Sequence, residues 1–118
     1  MYVTTAYPGV IKAWHCHKKR VDNFAVVKGM IKLVLYDWRE DSPTRGEVNE
    51  FFLGVHNPQL VQVPSGVVEG YQCVGVEEAL VLNCSTEVYE PAAPDDVRID
   101  PFSNEVPYRW DRRRGGSD

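Results

Sequence analysis

A small all-β domain, closed as a barrel or packed as two sheets, is what the 118 residues predict, and three observations predict it. Short apolar or alternating runs recur along the chain. Gly, Pro, Asn and Asp punctuate them. No amphipathic repeat of helical period is long enough to compete. Six or more short strands joined by tight connections bury their apolar faces most readily by closing a sheet or stacking two.

The elements follow in order. Around His15 and His17 the chain reads as a strand, and Phe24 to Val27 reads as the next, leading into Lys28-Gly29, where glycine supplies turn geometry. The chain resumes at Met30. There Ile31, Leu33 and Leu35 share one face by the period of two and belong to the core, while Lys32 and Tyr36 share the other. Arg39 to Gly46 is polar and turn-like. Val48 to Val55 is a further strand, closed by the loop His56-Asn57-Pro58-Gln59. Three more strand runs lie in 60–64, 67–74 and 77–85, divided by Ser65-Gly66 and Gly75-Val76. After Glu90 the chain turns rich in Pro and Asp and reads as an extended segment wrapping the barrel rather than a regular strand. Residues 1–111 make one domain, and 112–118 a frayed polar tail carrying Arg112, Arg113 and Arg114.

Composition excludes several classes of function. With 43% hydrophobic and 25% charged residues the chain is globular, and a net charge of -4 offers little attraction to nucleic acid. Cys16, Cys73 and Cys84 have neither the even count of a disulfide framework nor the spacing of a thiolate zinc site, which fits a reducing compartment. No run reaches the ~20 apolar residues that span a bilayer, and the first residues lack a secretory pattern. The expected location is the cytoplasm, with no membrane partner.

His15 and His17 point from one face of a strand, as a shared cavity or a shared metal requires. The order Gly9, His15, His17, Asp22, Gly29 resembles the first motif of the cupin superfamily, with Asp in place of the usual Glu. Pro64, Gly66 and Glu69 resemble the second motif, with Glu where a histidine is usual. That resemblance implies a cupin fold, a double-stranded β-helix or jelly-roll. The cofactor expectation is none, or one divalent Zn, Mn or Fe ion held by His15, His17, Asp22 and Glu69, all competent ligands. Otherwise Asp22 pairs with Lys18, Lys19 or Arg20 while Glu69 faces solvent.

Further segments carry a closer resemblance: 9–15, 26–29, Asp41-Ser42-Pro43-Thr44-Arg45-Gly46, 63–71, 86–91 and Ile99-Asp100-Pro101. Together they are similar to the dTDP-4-dehydrorhamnose 3,5-epimerase family, a cupin branch acting without a metal on nucleotide-linked 4-keto sugars. The resemblance implies that His15 is the catalytic base and Asp100 the acid that orients it. It sets Lys12 near the nucleotide phosphate, where the family has arginine. Trp14, Tyr71 and Asn83 join it as substrate-binding residues. Trp14, Phe24, Trp38 and Tyr71 offer stacking surface for a base or sugar ring, or equally core packing. The chain departs from the pattern elsewhere. Asp22 stands where the family has an enolate-binding lysine, Glu69 where it has a second histidine, and His17 where it commonly has glutamine. Asn83, or Leu82 by a one-residue offset, stands where it has a tyrosine acid. Tyr7, Tyr36, Tyr89 and Tyr108 are possible replacement acids.

The expected function is an epimerase or ketoisomerase that enolises a nucleotide-linked 4-keto sugar with altered chemistry, in a cavity made more anionic by Asp22 and Glu69. A metal-dependent cupin enzyme on another small molecule and a non-catalytic sugar-nucleotide binding cupin are the alternatives. The family implies a homodimer, in a reduced form because its usual N-terminal extension is missing here.

Overall fold

The computed structural model describes residues 2–85 and 96–111, none of them helical, and no helix in it is long and apolar enough to cross a membrane. Nine strands carry the described chain: β1 (Tyr2–Ala6), β2 (Ile11–His17), β3 (Asp22–Lys28), β4 (Met30–Asp37), β5 (Val48–Gly54), β6 (Val61–Val63), β7 (Val67–Cys73), β8 (Ala79–Ser85) and β9 (Asp96–Arg98). They form two antiparallel sheets, ordered β1-β8-β3-β6 and β5-β4-β7-β2-β9, the two walls of a jelly-roll.

Alternation assigns the faces as predicted. Ile31 and Leu33 of β4 point inward with Val67, Tyr71 and Cys73 of β7, against Phe24, Val26 and Val81 of the opposite sheet. Val34, between the inward pair, points outward. It packs with Trp14, Val68, Ile99, Val106 and Trp110. The five-stranded sheet is therefore buried on both faces, and every residue of β7 is buried. What covers its outer face is the segment after β9. Ile99, Val106 and Trp110 each contribute roughly 1.5–3 kcal/mol by burial, and Gln72 Nε2 donates to the Asp111 carbonyl at 2.8 Å, tying the end of that strap to β7. Residues 99–111 thus wrap the barrel as expected.

Two elements differ from the reading of the sequence. β1 adds a strand beside β8 that the sequence reading did not assign. β9, placed in a segment expected to be irregular, pairs with β2 through His15–Arg98 and His17–Asp96. The segment 86–95, with Tyr89 as an expected replacement acid, and the expected frayed tail 112–118 lie outside the described residues.

The predicted turn at Gly29 is a corner between sheets rather than a hairpin. Gly29 has φ +74°, and a Cβ there would lie 2.7 Å from the Glu78 carbonyl oxygen. Gly70 is required for a different reason: a Cβ would meet Ala13 Cβ at 2.5 Å and the Trp14 ring at 2.7 Å, so its absence lets β2 and β7 approach. The Asp41–Gly46 motif is structural. Ser42 and Thr44 hydroxyls and the Arg39 guanidinium all donate to the buried Asp37 carboxylate, and Arg39 above all holds that carboxyl well below the usual range.

Candidate functional site

Inward residues of both sheets enclose a cavity of about 460 Å³, within the span of small-molecule sites. The five-stranded wall contributes Lys12, His15, His17, Glu69, Tyr71 and Asp96; Tyr2, Thr4, Phe24, Val81 and Asn83 face it from the other sheet. Arg20, on the β2–β3 connection, and Arg98 complete the described lining. A second groove, of about 510 Å³, is lined by residues 102–110 alone and has Arg109 as its one charged side chain. It lacks any cluster of acid and base.

His15 is set by its neighbours. A register shift between Ala13 and His15 keeps both His15 and His17 inward, while Trp14 and Cys16 point into the outer core. His15 Nδ1 lies 3.4 Å from Asp96 Oδ1, with the ring about one third exposed. Burial pushes the Asp96 carboxyl up, but the Arg98 hydrogen bond and the charges of His15 and His17 outweigh it, and the net shift is downward. An ionised carboxylate there accepts the Nδ1 proton and leaves Nε2 as the basic nitrogen.

Beneath this pair lies a buried polar cluster. His17 Nε2 is 3.1 Å from Asp22 Oδ2 and 3.7 Å from Glu69 Oε1, and Arg20 Nε reaches Asp22 Oδ1 at 3.3 Å. Burial, reinforced by the hydrogen bond with Asp22 and its charge, raises Glu69 well above the carboxylate range. Asp22 responds oppositely. Burial alone would push it up, yet hydrogen bonds from His17 and Glu69 and the charges of His17 and Arg20 bring it down to about 2. Of the two carboxyls, Glu69 is thus the one that holds a proton more readily and Asp22 the one that ionises more readily. The expectation that these two residues make the cavity more anionic is therefore tempered: the Glu69 shift opposes its ionisation, and Asp22 is paired with Arg20.

The four-ligand metal expectation is corrected in the same terms. Donor atoms of His17, Asp22 and Glu69 lie within 4.8 Å of one another, but His15 stands outside that group, turned toward Asp96. The set is three donors. Arg20 Nη2 also sits 3.1 Å from His17 Nε2, so a cation binding there would displace a guanidinium as well as the Glu69 proton. The alternative fares no better in full: Asp22 does pair with Arg20, but inside the cavity, and Glu69 is 5% exposed rather than facing solvent.

The remaining expectations divide. Tyr71 lines the cavity, its phenol pushed up to about 12 by burial. Lys12 lines it too, donating to the Thr5 carbonyl at 2.6 Å. Asn83 is buried, its Nδ2 donating to Tyr2 Oη at 3.2 Å while Oδ1 has no hydrogen-bond partner. Trp14 does not reach the cavity. Adjacent strand residues face opposite ways, so its ring is fully buried on the outer face, 5.0 Å from that of Trp110. Asp100 is not the partner of His15. The strand ends at Arg98, and Asp100 is exposed beyond it, with Oδ1 accepting from Phe102 N at 2.8 Å to cap a turn. Asp96 is the carboxylate beside His15 instead, and Tyr2, Thr4, Arg20, Val81 and Arg98 are the other lining residues not assigned from sequence. Val97 and Ile99, alternating with Asp96 and Arg98, were the available signal for a two-faced strand.

Comparison with known proteins bears on the family and the fold. The family model described as dTDP-4-dehydrorhamnose 3,5-epimerase matches residues 2–115. The "Probable low-salt glycan biosynthesis epimerase Agl13" of Haloferax volcanii is 41% identical over 99 residues, 83% of this chain and 64% of the relative, so the chain spans a little under two thirds of that protein's length. Spore coat polysaccharide biosynthesis protein SpsL of Bacillus subtilis is 41% identical over 106 residues, 89% of this chain and 70% of the relative. The crystal structure of a dTDP sugar isomerase from Desulfovibrio desulfuricans G20 matches with a TM-score of 0.88 at 33% identity, covering 99% of this chain and 71% of that one. On a family match running from β1 through the strap, and on these identities, the chain belongs to the dTDP-4-dehydrorhamnose 3,5-epimerase family.

Proposed function

We propose that the protein is an isomerase of the epimerase type that enolises a nucleotide-linked 4-keto sugar, with His15 as the base. One observation carries this reading: the His15–Asp96 pair opens onto a cavity large enough for a small molecule and lined by the cations Lys12, Arg20 and Arg98. A carbon acid beside a ketone needs a positioned base, and the enolate it leaves needs positive charge or hydrogen-bond donors. A nucleotide diphosphate needs cations too, and Arg98, with its side chain 79% exposed, stands at the rim where phosphates would arrive. Membership of the family supports the substrate class, as does the dTDP sugar isomerase among its relatives.

The test is substrate-dependent exchange in deuterium oxide, followed by NMR. Deuterium should enter the carbon next to the ketone of a dTDP-4-keto-6-deoxy sugar only when protein is present. Tight binding of such sugars without exchange would favour the non-catalytic reading instead.

The same proposal includes a homodimer in the cytoplasm. Three free thiols suit a reducing compartment. The outer face of the four-stranded sheet has no covering strap among the described residues. It presents Val3 and Val27, each 56% exposed, beside the half-buried Ala25, Leu80 and Leu82. An apolar sheet face of this kind suits a second copy of itself. Light scattering at micromolar concentration should report a species of about twice 13.4 kDa, reverting to 13.4 kDa in Val27→Glu; a monomer throughout would contradict it.

A further inference from the structure

Inversion at a carbon needs two groups on opposite faces, one to take a proton and one to return it. Here the faces are the two sheets. His15 stands on the five-stranded wall, so the returning proton has to come from the four-stranded wall. The described residues of that wall that line the cavity are Tyr2, Thr4, Phe24, Val81 and Asn83. Phe24 and Val81 have no exchangeable proton, and an aliphatic hydroxyl or an amide is too weak an acid. Tyr2 remains.

Its hydrogen bonds are arranged for that task. Tyr2 Oη accepts from Asn83 Nδ2 at 3.2 Å and from Arg20 Nη2 at 3.3 Å. A phenol oxygen has two acceptor positions and one proton. With both acceptor positions occupied, the O–H is directed elsewhere, and no acceptor among the described residues takes it. The same two donors remain in place when the oxygen becomes a phenolate, and the Arg20 guanidinium then stabilises the new charge. The register explains how β1 delivers the group: Tyr2 is the direct cross-strand partner of Asn83. At 49% exposure the side chain also touches solvent, which can restore its proton after each turnover.

We propose that Tyr2 is the proton donor that completes inversion, delivering its phenolic proton to the enolate face opposite His15, with Asn83 and Arg20 positioning its oxygen. The step balances. His15 takes the proton from carbon and the C–H pair becomes the enolate. That pair then forms the new C–H bond with the Tyr2 proton, the ketone is restored, and the O–H pair stays on the phenolate. Exchange with water returns His15 and Tyr2 to their starting states.

This inference rests on the enolisation reading, and the experiment separates the two. Wild type and Tyr2→Phe, as full-length protein, are incubated with dTDP-4-keto-6-deoxyglucose in deuterium oxide, and NMR follows deuterium entry beside the ketone and appearance of the inverted sugar. Tyr2→Phe should still exchange, by abstraction and same-face return, while inversion falls by roughly 10²- to 10⁴-fold. Replacing Tyr2 by 3-fluorotyrosine, a stronger acid of nearly the same shape, should move the alkaline limb of the inversion profile to lower pH and leave the exchange profile in place. Inversion by Tyr2→Phe at a rate close to wild type would overturn the assignment of Tyr2 alone, as would loss of exchange together with inversion. Absence of exchange in wild type would instead overturn the enolisation reading, and this proposal with it.

Discussion

His15→Ala is expected to lower deuterium exchange beside the ketone by roughly 10³- to 10⁴-fold, the upper part of what a positioned general base contributes. Among the described residues the cavity holds no equivalent replacement. His17, two residues on and facing the same way, has Nε2 between Asp22 and Arg20 and is only 5% exposed, so it does not reach substrate freely. Glu69 is the direct cross-strand neighbour of His15, but it is 5% exposed and burial opposes its ionised form, the form a base requires. Stability should change little, by about 1 kcal/mol or less. The ring is partly exposed, and β2 is anchored from its other face by Trp14 and Cys16. Exchange rates by NMR, with a denaturant midpoint measured beside them, check both halves. Exchange in His15→Ala within a few-fold of wild type would remove His15 as the base.

How much of this was legible in the sequence depended on which physical rule applied. The period of two placed Ile31, Leu33 and Leu35 on the inner face, and the glycine at 29 marked a real change of direction. The same rule, applied to Trp14, would have excluded it from the cavity: a residue adjacent to His15 on a strand faces the other way. Its aromatic character drew it to the site, whereas its environment is the tryptophan and tyrosine cluster under the strap.

Charge was harder to read. Asp22 and Glu69 count as two negative charges by formula, but burial of one against the other shifts them in opposite directions, Glu69 up and Asp22 down, with Arg20 beside Asp22. No local pattern announces that, because it depends on β3 and β7 facing each other across the cavity. Tyr2 was invisible for a related reason. It belongs to an edge strand whose pairing with β8 joins residues 81 apart, Tyr2 and Asn83, and spacing along the sequence carries no trace of it. The carboxylate partner of His15 was misplaced by one turn of the chain: Asp100 sits in an Asp-Pro pair that resembles the family motif, but that pair begins a turn, and the strand just before it supplies Asp96.

The His15–Asp96 pair is the centre of the account, and Asp96→Asn should slow exchange by roughly 10²- to 10⁴-fold with substrate binding largely preserved. An amide in place of the carboxylate can accept from His15 Nδ1 only if it turns its oxygen that way. It also carries no charge to match the imidazolium formed on abstraction. Asp96 is well placed for this role, 3.4 Å from His15 Nδ1 on a strand paired with β2 and held down by Ile99, Val106 and Trp110 behind it. Asp100→Asn, by contrast, alters an exposed turn cap and should leave exchange near the wild-type rate. The most direct measurement is therefore the exchange rate of Asp96→Asn and Asp100→Asn side by side, with one nucleotide-linked 4-keto sugar, at saturating concentration. A large loss in Asp96→Asn alone is the predicted result; a large loss in Asp100→Asn with Asp96→Asn close to wild type would contradict the site as built here.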